Sequence, residues 1–194
     1  MSRVLAACAV LLVAAACGND GSDESASTTI EVPEGIVGVE SVGGPVELPK
    51  KVRDQVLEGV RTYVENGVVS TLRNGKPGQL GPAFDEAALA GLGTDAGRSM
   101  LDRGAPAATG DVRAQAQPVV LVGLADAAGT VVLVAAHLDL EVVAGTDDGD
   151  LTVHRVGDLT FAPVENTWKI TTYDVAVTRS GAGVETETTG AATG

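Results

Sequence analysis

The chain has 194 residues and a formal charge of −13, and it is 44% hydrophobic, 20% charged and only 3% aromatic. That length suits one domain of ordinary size, and the acidic balance excludes a surface built to neutralise nucleic-acid phosphates. So few aromatics beside so much Ala, Val and Gly predict a core of small aliphatic side chains.

The chain begins "MSRVLAACAVLLVAAAC", with Arg3 in a short n-region, an apolar run from Val4 to Val13, and then small residues. This run is shorter than the ~20 apolar residues of a bilayer-crossing helix and reads as an export signal. Its end, Ala14-Ala15-Ala16-Cys17, resembles the lipobox of bacterial lipoprotein signal peptides. The resemblance implies cleavage before Cys17 and a diacylglyceryl group on its thiol. Leu5-Ala6-Ala7-Cys8 fits the same pattern, but almost no apolar run precedes it. Residues 1–16 are therefore expected to be a signal peptide, and Cys17 a lipid anchor on the extracytoplasmic face of the cell membrane. Two acyl chains suffice for stable anchoring. With Cys8 removed and Cys17 acylated, no thiol remains for a disulfide.

Residues 17–48 carry seven acids and no base between Asp20 and Glu47, amid Gly, Ser and Thr. They read as a disordered acidic tether that stands off an anionic membrane. "GAGVETETTGAATG" reads likewise, so residues 180–194 are expected to be a disordered tail.

Regular patterning occupies residues 49–179. Pro49 suits the first turn of a helix, and Val52, Val56, Leu57, Val60, Tyr63 and Val64 follow at helical spacing for four or five turns. "NGKPGQLGP" ends it; "PAFDEAALAGL" predicts a second helix begun by Pro82, and "TDAGRSMLDRG" a third, N-capped by Thr94. Four strands follow, at Val112–Leu124, Val131–Val142, Leu151–Pro163 and Trp168–Thr178, with turns at "DAAG", "GTDDGD" and "VEN". Pro118 cannot donate to a ladder, so the first strand is expected at an edge or bulged there.

Helices followed by an antiparallel meander predict an α+β domain, with N-terminal helices packed on a curved four-stranded sheet. That order, closing with "DLTFAPVENTWKITTYDV", resembles the cone-like fold of nuclear transport factor, ketosteroid isomerase and SnoaL-like cyclases. It is also similar to the extracytoplasmic domains of actinobacterial Mce-associated proteins. The resemblance implies a pocket between sheet and helices, and in its catalytic members Asp, His and Tyr on the strands.

Strand alternation puts Val132, Val134, Ala136, Leu138 and Leu140 on one face, and Val131, Leu133, Ala135, His137, Asp139 and Glu141 on the other. His137 and Asp139 could meet side by side as a base and its orienting carboxylate, or could simply be a wet sheet face. On the next strand His154 is expected at the surface, opposite a core face of Leu151, Val153, Leu159 and Phe161. Two histidines and no remaining thiol argue against a zinc site. Asp147–Asp150 lacks the ligand spacing of an EF-hand loop and reads as a solvated turn. Gly97-Arg98-Ser99-Met100-Leu101 lacks the second Gly of a nucleophile elbow, and no Walker or dinucleotide pattern occurs. Trp168, Tyr173 and Phe84 read as core, and no cofactor is expected.

These readings favour a non-catalytic, membrane-anchored envelope protein that binds a partner protein or an apolar small ligand. The alternatives are an isomerase- or cyclase-like enzyme using His137 and Asp139, and a structural accessory of an envelope transport assembly.

Overall fold

The computed structural model describes residues 37–41, 47–184 and 188–193. The expected signal peptide, Cys17 and most of the segment expected to be an acidic tether lie outside the described residues.

Pro49 occupies the N-cap of the first helix, and its carbonyl accepts from the Arg53 N–H at 3.0 Å. The chain is then helical from Lys50 to Asn74, as α1 (Lys50–Thr62), a π-helical stretch (Tyr63–Val69) and α2 (Ser70–Asn74). Gly75 ends it in the left-handed region at φ +68°, where only Gly avoids a steric penalty. The helix stops where "NGKPGQLGP" begins, as expected, but runs from Lys50 to Asn74 rather than for four or five turns, with its stretch Tyr63–Val69 widened to a π-helix. Its buried side is Val56, Val60, Tyr63, Val64, Val68 and Leu72, each contributing roughly 1.5–3 kcal/mol of apolar burial if of ordinary size. Gly59 sets how closely α1 approaches the sheet, since a Cβ there would lie 2.5 Å from Cε1 of Phe161.

The second and third helices are short. α3 (Glu86–Gly91) starts four residues later than Pro82, because the Asp85 carboxylate caps it by accepting the Ala88 N–H at 2.7 Å. α4 (Asp95–Arg98) is capped by Thr94 as expected, with the Gly97 N–H donating to its hydroxyl at 3.3 Å. A 3₁₀ turn, Ser99–Leu101, follows. Of the helical segments it is α1 that packs most extensively on the sheet, against the strands Thr167–Gly181 and Val131–Thr146, with α3 against the former.

Five strands build the antiparallel sheet: β2 (Val112–Ala116), β3 (Val120–Ala125), β4 (Val131–Thr146), β5 (Gly149–Val164) and β6 (Thr167–Gly181). The expected first strand is thus two, divided at Pro118. Both pair with β4, and between the pairs Ala116↔Leu140 and Leu121↔Ala136 the β2–β3 side holds one extra residue. That bulge switches the core-facing parity, from Val112 to Val119 and Leu121. A second register shift at Leu124/Ala125 buries Val131 and exposes Val132, the reverse of simple alternation along β4. From Val134 onward the alternation holds.

Two further strands fall inside the segments read as tether and tail. β1 (Val37–Ser41) pairs parallel with β3, and β7 (Thr188–Thr193) antiparallel with β6. The low apolar content that suggested disorder does not prevent a strand from adding to an existing edge, where backbone hydrogen bonds supply the contact.

Candidate functional site

The turn between β5 and β6 is tight, with Glu165 and Asn166 both at positive φ (48° and 66°), the conformation of a two-residue hairpin loop. It delivers Trp168 at the start of β6, half-buried and packed on the edge of the core. Pro82, in the turn before α3, stands with it. Across from them runs α1, and between the two walls lies a groove of about 750 Å³ lined by Lys50, Lys51, Asp54, Gln55, Glu58, Gly59, Thr62, Pro82, Thr167 and Trp168. Its wall is mainly apolar, which with a few polar groups at the rim is the usual make-up of a small-molecule site. Of the lining charges, Lys50 and Asp54 pair with each other, and Glu58 pairs with Arg61 outside the groove. The Lys50 ammonium, by its hydrogen bond, holds the Asp54 carboxyl below the usual range.

Trp168, read as core from the sequence, lies at the core's edge and also walls the groove. Phe84 and Tyr173 are core, as expected, and their rings meet edge-on at 6.4 Å.

His137 and Asp139 do share the outer face of β4, but the structure does not join them. His137 Nδ1 lies 3.0 Å from Oδ1 of Asp158, its cross-strand neighbour on β5. Asp139 instead receives His154 Nε2 at 2.8 Å, on the diagonal. Each of the four side chains is close to half exposed. This is a wet sheet face carrying two separate His–Asp pairs.

The most heavily buried polar group went unread in the sequence. Arg155 lies on the core side of β5 between Val153 and Leu159, fully buried. One of its terminal nitrogens donates to Asp102, and the other to the Tyr63 hydroxyl at 3.1 Å and the Met100 carbonyl at 3.0 Å. Asp102, itself buried and at φ +50°, also accepts from Arg179 Nε at 3.0 Å and Nη2 at 2.8 Å. The network ties the long helix, the 3₁₀ turn, β5 and β6 together. Burial lowers the Arg155 pKa and raises that of Tyr63, the latter opposed by the adjacent guanidinium. A signal existed: an arginine at a position whose strand parity faces the core demands a buried acid.

The Asp147–Asp148 turn closes a hairpin, with the Thr146 hydroxyl donating to the Gly149 carbonyl at 2.7 Å. Among the described residues no group of three His, Cys, Asp or Glu side chains could hold a metal ion, and no described helix is long and apolar enough to cross a membrane.

Compared with family models, curated proteins and solved structures, the chain has no significant match.

Proposed function

We propose that this chain is a lipoprotein held on the extracytoplasmic face of the cell membrane through Cys17, and that its α+β domain is a non-catalytic binding module. The observation that carries the binding role is the apolar-walled groove between α1 and Trp168. The long helix laid along a sheet whose strands β4, β5 and β6 run for 16, 16 and 15 residues supports the cone-like reading of the fold. The outward pairing of His137 and Asp139 with residues of β5, away from the groove, supports a binding module over an isomerase or cyclase.

A second reading, as an accessory of an envelope assembly, draws on the exposed apolar side chains Val122, Leu124 and Val132 on the outer face of the sheet. Such a patch suits a protein contact.

Fluorescence decides between groove and face. Trp168 is the chain's single tryptophan, so an apolar ligand in the groove changes its emission directly. The full chain carrying Cys17→Ala should enhance the fluorescence of N-phenyl-1-naphthylamine by energy transfer from Trp168. Thr62→Phe, which fills the groove from the α1 side, should abolish the effect. An unchanged response in Thr62→Phe would place the ligand elsewhere.

A further inference from the structure

The rim of the groove is electrostatically uneven. Lys50 and Asp54 neutralise each other, and Glu58 is matched by Arg61. That leaves Lys51 as the lining cation with no ion pair among the described residues. It stands in the first turn of α1, which contains no acid and has no side-chain cap, so the positive end of the helix adds to its charge. The chain as a whole carries −13, so an uncompensated cation at this rim stands out against an acidic background. Below Lys51 the wall is Gly59, Pro82 and Trp168.

Resting on the groove reading above, we infer that the occupant is a long-chain fatty acid, its chain along Trp168 and Pro82 and its carboxylate at Lys51. A single unmatched cation at an apolar groove fits one negative charge on one chain. A zwitterionic lysophospholipid would bring its own cation to the same rim and gain less. The groove's volume, about 750 Å³, is within the range of small-molecule sites.

The test uses the full chain carrying Cys17→Ala and follows quenching of Trp168 by a nitroxide-labelled stearate, by its methyl ester and, through displacement, by lysophosphatidylcholine. The acid should quench saturably and bind more tightly than the ester. Lys51→Glu should weaken the acid by about two- to fivefold, the scale of an exposed charge interaction, and leave the ester unchanged; Lys51→Gln should fall between. Equal binding of acid and ester, with Lys51→Glu silent, would overturn the carboxylate assignment while leaving the groove reading intact. Lysophosphatidylcholine binding as tightly as the acid would overturn it as well. Absence of any quenching, in wild type and Thr62→Phe alike, would remove the groove reading itself.

Discussion

Asp102 and Arg155 form an ion pair in which neither side chain is exposed to solvent. Asp102 holds Arg179 with its other oxygen, so one carboxylate balances two guanidinium groups. Removing a single partner leaves buried charge uncompensated, a loss of roughly 3–5 kcal/mol. Asp102→Asn should therefore lower the unfolding free energy by about that amount, because Asn tolerates the left-handed backbone and the charge alone is lost. Arg155→Met added to it should restore part of the loss. Urea denaturation measures both; a change under ~1 kcal/mol for Asp102→Asn would mean that the pair is not buried.

The two tyrosines offer a pH test. Tyr63 and Tyr173 are the only ones in the chain, and burial raises both phenol pKa values above the ordinary one. In the unfolded chain they lose protons near ~10, while the folded chain keeps them. The folded state then binds more protons in that range, so their contribution to stability is intact below ~10 and is lost as pH rises through the folded values. Ultraviolet absorbance should show tyrosinate formation in the folded protein delayed beyond the ordinary phenol pKa, completed together with alkaline unfolding. Ordinary titration of both phenols in the folded protein would contradict the packing around them.

Gly59 should tolerate no side chain. The Cβ of Gly59→Ala would meet the Phe161 ring at 2.5 Å, and overpacking of this kind costs about 1–3 kcal/mol. Thermal unfolding should report the loss, and a simultaneous Phe161→Leu should relieve it. An undiminished melting temperature for Gly59→Ala would show that α1 lies further from β5.

The outer face makes a distinct prediction about pairing. Asp139→Asn should perturb the ring resonances of His154 and leave those of His137, whose neighbour is Asp158. The opposite pattern in an NMR spectrum would restore the side-by-side His137–Asp139 arrangement.

Much of this architecture is legible from residue spacing. The apolar period from Val52 to Val64, the Thr94 cap and the core parity of Leu151, Val153, Leu159 and Phe161 are local signals, and each led to the right element. What was missed depends on partners distant in sequence. Alternation cannot reveal that β2 and β3 both borrow β4, nor where a bulge inverts Val131 and Val132. Nor can it find the acid for Arg155, 53 residues away on a turn. The groove likewise needs α1 and the β5–β6 turn side by side. The pairing of His137 and Asp139 failed for a simpler reason: residues two apart on a strand are neighbours, but the cross-strand residue competes for the same hydrogen bond.

The anchor is tested separately. Cys17→Ala should shift the protein from the membrane fraction to unprocessed precursor, while Cys8→Ala should change nothing. Recovery of a mature, membrane-bound protein from Cys17→Ala would end the lipoprotein reading.

Native mass spectrometry of the protein purified from its own membranes bears most directly on the proposed role. The account predicts a non-covalent apolar adduct on the wild-type chain, beyond the mass of the acylated Cys17, and its absence from Thr62→Phe. Equal loading of both chains, or none on either, would contradict it.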